Sequence, residues 1–348
     1  MGLRDMRTML TIGTAILILV AMQAASVILA PIACAIFATA IAWPLQRSLQ
    51  ARIPKLIALA ITILVTLVIV VSLCSMVVWG ISRVGSWLVG NAGRFQLLYQ
   101  QKADWLAQHD IYIGQVMMDY FNVGWLIQIF QGLSARLQGF ISFATVAFIF
   151  LMLGLLEVDT TRDKFARLAE SGMGRIVVPA STEMADKFRR YMMVRSLMSV
   201  MTGLAVWGLA NFVGLDLAME WGAIAFALNY IPFLGPLAAT VLPTLLAMAQ
   251  FESVRAAIAI FLGLNLTQFI IGSYLEPRIA GATLALSPFI VLLAVFLGNF
   301  LWGIAGAFIG VPLVIAASTL CAHSPSTAWI AGLMSASALP VAGDRATR

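Results

Sequence analysis

Apolar residues run along most of the chain in stretches longer than a soluble helix needs, and polar residues fall between them in short clusters. The first stretch, Met9 to Leu45, would be about 55 Å long as one helix, against a hydrocarbon core of about 30 Å. Basic residues lie at both ends of it: Arg4 and Arg7 before, Arg47, Arg52 and Lys55 after. Basic flanks mark cytoplasmic ends, so the pattern predicts a two-pass hairpin turning near Pro31. Leu56 to Ile81 predicts a third span, which completes an N-terminal helical region over residues 1–81. Residues 82–138 have a different texture, with Trp87, Phe95, Leu98, Trp105 and Leu106 at loosely helical spacing among polar residues. They predict external amphipathic helices at the membrane surface. Gly139 to Leu156 predicts the fourth span. Glu157 to Arg195, with eight basic residues against six acidic, then predicts a cytoplasmic segment that closes the region 139–195.

Residues 196–320 carry the chemistry. Ser196 to Leu215 reads as a span, and Trp221 to Ala249 as a second one interrupted by Asn229, Tyr230, Ile231, Pro232, Phe233, Leu234, Gly235 and Pro236. Two prolines four residues apart remove two helix donors and bias Ile231 and Gly235 toward extended backbone, so the helix should break there. In hydrocarbon that break strands carbonyls, including those of Leu228 and Pro232, unless protein, water or solute satisfies them. Ala256 to Tyr274 contains Asn265 and Gln268 at a spacing that places both on one helical face. Leu275 to Gly281 then sets Glu276 and Arg278 around Pro277 between two apolar runs, where unpaired charge is costly. The last run, Leu286 to Leu320, is again too long for one crossing, at about 52 Å, and is interrupted by Gly298, Asn299, Gly303, Gly306 and Gly310. Two overlong, interrupted runs in one half of a chain point to discontinuous or re-entrant helices around a transport site. Pattern alone leaves full spans and hairpins equally open. Residues 321–348 form a polar tail, and Arg345 and Arg348 place the C-terminus, like the N-terminus, on the cytoplasmic side.

Composition agrees with an all-α integral membrane protein of about eight transmembrane helices: 61% of the 348 residues are apolar and 10% charged, against about 25% charged in soluble domains. The net charge of +6 comes from residues that flank apolar runs, so it reads as topology and not as a nucleic-acid surface. Cys34, Cys74 and Cys321 have no metal or disulfide spacing, and His109 and His323 are isolated; no metal or cofactor is expected. There is no GxxxxGK[ST], HExxH or GxSxG, so the chain is not expected to be an ATPase, a protease or another familiar enzyme. Candidate substrate or ion-pathway residues are Asn229, Pro232, Gly235, Pro236, Asn265, Gln268, Glu276, Arg278 and Asn299. The amides offer hydrogen-bond partners to a polar solute. Cation/proton antiport would instead use Glu276 as the exchanging carboxylate, carbonyls near Pro232 as a cation shell, and Arg278 to favour the ionised form. Glu276 and Arg278 paired as a structural latch, and a membrane scaffold without transport, are the remaining readings.

In order along residues 220–315, the Asn229 to Pro236 motif, Leu275 to Arg278 with Gly281, Leu286–Ser287–Pro288, Leu301 to Ile304 with Gly306, and Val311–Pro312–Leu313 resemble the autoinducer-2 exporter family of bacterial polytopic membrane proteins. The first half is similar in layout only. One departure is Ala282, where many relatives carry a basic residue. The resemblance implies multi-pass transport in the bacterial inner membrane, with the quorum-sensing signal autoinducer-2 as substrate for the member that names the family. Other relatives resemble sodium or lithium to proton antiporters. It also implies a homo-oligomer, with a pentamer suggested for relatives, in contact with the lipid bilayer.

Overall fold

The computed structural model describes residues 3–91, 93, 123–168, 174–281 and 286–335, which form helices, turns and one antiparallel bridge between Leu286 and Ser335. In chain order the elements are α1 Leu3–Ala24, α2 Ser26–Gln50, α3 Lys55–Gly90, α4 Val123–Leu168, α5 Gly174–Phe212, α6 Ala218–Leu228 and α7 Leu234–Phe251. They continue with α8 Val254–Gln268, a π-helical segment Phe269–Leu275, α9 Glu276–Ala280, α10 Pro288–His323 and α11 Ala328–Met334. Seven helical stretches among the described residues are long and apolar enough to cross a bilayer, and the protein is an all-α membrane protein.

Three boundaries differ from the expectations above. The first apolar stretch divides at Ala25 (φ −87°, ψ 14°), while Pro31 sits buried inside α2. A proline removes one donor but does not by itself turn a chain back. Helix α3 runs on through Ser82–Gly90 because Ile81, Val84, Trp87 and Leu88 continue its packed face; Phe95, Leu98, Trp105 and Leu106 lie outside the described residues. The basic segment 157–195 is mostly helix, divided between the end of α4 and the first half of α5.

The chain forms two compact units, one of Met1–Thr66, Ser142–Val194 and Ala280–Arg348, the other of Leu67–Ile141 and Arg195–Ile279. In the first unit α10 is not one helix. Trp302 (φ −135°, ψ 18°) and Gly303 (φ 63°, ψ −146°) leave helical geometry, and the chain folds back on itself. A Cβ at Gly298 would overlap the Gly306 carbonyl, and one at Gly310 would overlap the Ala294 carbonyl, so these glycines let the two arms, 288–301 and 304–323, touch through backbone. The turn is pinned to the end of α1, where Trp302 Nε1 donates to the Met22 carbonyl at 3.0 Å and Gln23 Nε2 to the Phe300 carbonyl at 3.4 Å. The basic residues of α5 dock within this unit. Pro44 has no N–H to offer the carbonyl of Ala40, and Arg189 Nε fills that place at 3.0 Å. Lys187 reaches Glu183 at 2.7 Å and Thr319 Oγ1 on the second arm at 3.1 Å.

The second unit is built on Val206, Ala210, Trp221, Ile224, Ala225, Leu246 and Leu264, contributed by α5, α6, α7 and α8. Here too the interrupted run turns back. Gln250, near the end of α7, accepts from the Asp216 amide and donates to the Gly214 carbonyl, each at 2.8 Å, so the run ends beside its own start. At the same end Arg83 of α3 pairs with the buried Glu220 at 3.3 Å.

Gly298→Ala and Gly306→Ala should each lower stability by about 1–3 kcal/mol, the usual cost of forced overpacking. Gly208→Ala, where nothing lies within 4 Å of the new methyl, should be neutral or stabilising by up to about 1 kcal/mol. Thermal unfolding of the three purified variants in detergent checks the order.

Candidate functional site

The turn of the α6–α7 hairpin, residues 229–233, lies against α5. Helix α6 runs beside α5 because Gly203 and Gly222 face each other: a Cβ on Gly203 would come within 2.7 Å of Phe226 Cβ, and one on Gly222 within 2.6 Å of Trp207 Cβ. That close seam brings two side chains of the turn onto two serines. Asn229, 5% exposed, donates from Nδ2 to Ser199 Oγ at 3.3 Å, and the Tyr230 hydroxyl donates to Ser196 Oγ at 3.0 Å. One residue before Ser196, Arg195 donates from Nη1 to both carboxylate oxygens of Glu276, at 3.0 and 3.1 Å. The cluster therefore holds one guanidinium, one carboxylate and a set of hydroxyls and an amide, with no net charge.

The proline motif breaks the helix less than its two prolines suggest. Pro236 is the third residue of α7, where a missing N–H removes only a donor that a helix start leaves unbonded anyway. The carbonyls expected to be stranded are not free: Ile231 N–H reaches Leu228 at 2.9 Å and Leu234 N–H reaches Pro232 at 2.8 Å. The two carbonyls expected to be stranded by the break are thus each engaged within the turn. Gly235 is required by contact, since a Cβ there would overlap the Leu228 carbonyl. Among the described residues, the non-glycine positions with positive φ are Leu217 (61°), Phe233 (65°) and Glu252 (52°), which mark the two ends and the turn of this hairpin. Each such conformation costs on the order of 1 kcal/mol and clusters at switch regions.

The other candidates separate. Asn265 is exposed and its amide donates to the Phe261 carbonyl of its own helix at 2.8 Å. Gln268, last residue of α8, keeps a buried Nε2 without a partner, directly before the π-helical segment that leads into Glu276. Such π-helical turns widen the ladder and recur at functional sites. Arg278 does not pair with Glu276. Its guanidinium lies over the Tyr274 ring, 3.9 Å from the centroid, and the partner is Arg195. Asn299 is exposed and belongs to the other unit, and Ala282 lies outside the described residues. The residues that sequence reasoning missed are Arg195, Ser196, Ser199 and Thr202. Polar side chains at positions i, i+4 and i+7 of an otherwise apolar run were the available signal.

An open groove of about 540 Å³ lies nearby, lined by Met201, Leu204, Ala205, Ile270 and Leu275 with Thr267 as its one hydroxyl, and it is apolar where the turn is polar. Among the described residues no group of three His, Cys, Asp or Glu side chains is placed to hold a metal ion.

A multi-pass helical bundle with interrupted helices turning back at a polar cluster is the form of a membrane solute transporter. The AI-2E family transporter model matches residues 12–325, and the chain belongs to that family. It is similar to the AI-2 transport protein TqsA of Escherichia coli (strain K12), 26% identical over 318 residues, which cover 90% of this chain and 91% of that protein. A Haemophilus influenzae protein provisionally designated a transport protein is 24% identical over 340 residues, 94% of this chain and 96% of its own length. YhhT of Escherichia coli (strain K12), with the same provisional designation, is 32% identical over 123 residues, 35% of each chain.

Breaking the pair from the acidic side tests the partner assignment. Glu276→Gln should cost about 1–3 kcal/mol, less than a fully buried pair because the carboxylate is 31% exposed, whereas Arg278→Gln should stay within about 0.5 kcal/mol. A double-mutant cycle with Arg195→Met should return a coupling energy for Glu276 and none for Arg278.

Proposed function

We propose that the chain moves a small, uncharged, polar solute of the polyhydroxylated kind that autoinducer-2 represents across the bacterial inner membrane, with the α6–α7 turn as its contact point. The neutral polar cluster carries this reading: hydroxyls and an amide lie along α5 and the turn, beside an Arg195–Glu276 pair whose charges cancel. A neutral solute can exchange hydrogen bonds with Ser196, Ser199, Asn229 and Tyr230 without displacing an ion. The name of the similar TqsA supports the signal itself as the first substrate to try. Cation/proton antiport has less support, since Glu276 is held by Arg195 and the carbonyls of Leu228 and Pro232 are bonded. A scaffold without transport would have no use for a buried polar turn bracketed by strained residues. The basic flanks of the early spans support both termini being cytoplasmic, and family resemblance supports assembly as a homo-oligomer.

The test is purified protein in liposomes, with labelled autoinducer-2 outside, sodium and proton gradients imposed in turn, and internal pH recorded. We expect protein-dependent signal flux without sodium-driven proton movement, and Asn229→Ala should reduce the flux about tenfold, the worth of one hydrogen bond. Sodium-dependent proton movement lost in Glu276→Gln would replace this reading with antiport.

A further inference from the structure

Thr202 stands out among the threonines of the membrane helices. A helical threonine ordinarily returns its hydroxyl to the carbonyl one turn earlier. Thr39 does so to Ala35, Thr62 to Ala58, Thr240 to Pro236, Thr267 to Gly263 and Thr319 to Ile315, at 2.7 to 3.0 Å. Thr202 is 1% exposed, and its Oγ1 has no partner. A buried hydroxyl left in that state costs about 1–3 kcal/mol, although rotation of one side-chain bond is the route by which its neighbours avoid the cost. Arg195, seven residues earlier on the same helix face, is likewise buried and leaves its Nε unbonded.

Both groups share a face of α5 with Ser199, at i, i+4 and i+7. Ser199, between them, takes the Asn229 amide, and Gly203, next to Thr202, lies against Phe226. Thr202, 1% exposed and one turn along the same face from Ser199, can meet a solute only when the packing around that face shifts, the hairpin that holds Ser199 included. The positive-φ residues Leu217 and Glu252 stand where that hairpin joins its neighbours.

We propose that Thr202 is a solute-contact residue: its hydroxyl and the Arg195 Nε–H form a donor stripe on α5 that binds acceptor oxygens of an uncharged hydroxyl- or carbonyl-rich solute when the α6–α7 hairpin lifts. This rests on the solute-transport reading above and adds a residue and a ligand chemistry to it. Water-filled space is not needed in the sealed state. The unbonded donors are what the solute satisfies on entry.

Valine matches threonine in shape and lacks the hydroxyl, so it separates binding from packing. In liposomes containing the full chain, with labelled autoinducer-2 as the probe, Thr202→Val should raise the half-saturation concentration about tenfold while unfolding at the same temperature as wild type or higher. Thr202→Ser should stay within about twofold of wild type, a margin well inside one hydrogen bond. Wild-type transport by Thr202→Val, or a loss of transport that tracks a loss of thermal stability, would overturn the proposal. A second arm does not depend on the probe being the right solute. In a variant with Cys34, Cys74 and Cys321 replaced by alanine, Thr202→Cys should react with a membrane-impermeant thiol reagent, and autoinducer-2 should slow the reaction. No reaction would overturn the proposal. Reaction without slowing, together with no signal flux in wild type, would remove autoinducer-2 as the solute and leave the exposed stripe standing.

Discussion

Within a bilayer every backbone amide and carbonyl has to find its partner in the protein, and the rest of this structure follows from how the chain meets that demand where its helices stop. At the α6–α7 turn the amides of Ile231 and Leu234 close on the carbonyls of Leu228 and Pro232. At the α10 turn Trp302 donates to the carbonyl of Met22, in the last turn of α1. Inside α2, the carbonyl that Pro44 cannot serve is taken by Arg189. Each interruption is thus closed by a specific donor, and each closure ties one element to another.

Closing the breaks also decides what the breaks can do. At this turn the carbonyls of Leu228, Ile231, Pro232 and Phe233 accept backbone bonds, while the side chains of Asn229 and Tyr230 bond serines, the kind of partner an oxygen-rich neutral solute can replace. Small residues supply the rest of the geometry: Gly203 and Gly222 bring α5 and α6 close enough for Asn229 and Tyr230 to reach serines that would otherwise face a side-chain-thick gap. In the charge pair beside them, Arg195 with Glu276, the two charges cancel, which keeps the site neutral without excluding polar solutes. Among the described residues, the non-glycine positions of positive φ, Leu217, Phe233 and Glu252, fall at the ends and turn of the hairpin whose Asn229 and Tyr230 reach α5.

Much of this was legible in the pattern of residues. Overlong apolar runs with Pro232 or Gly303 near their middles announce interrupted helices, and the membrane class follows from run length alone. Whether an interrupted run crosses or turns back was not legible, because the answer lies in contacts such as Gln250 with Gly214 and Gly298 with Gly306, which are tertiary. The partner of Glu276 was misread for a similar reason. Arg278 is two residues away and so points from a different side of the helix, while Arg195 is 81 residues distant in sequence and adjacent in space. The spacing of Arg195, Ser199 and Thr202 marked a polar face, but a threonine in a membrane helix is ordinary until its hydroxyl is seen to be unbonded.

The account depends most on the run from Trp221 to Ala249 returning to the side from which it enters. Single cysteines at Leu217 and Glu252, in the variant lacking native cysteines and in vesicles of one orientation, measure this directly with an impermeant thiol reagent. Labelling of both positions from the same side is the predicted result. Labelling from opposite sides would make the run a transmembrane span and contradict the hairpin on which the site is built.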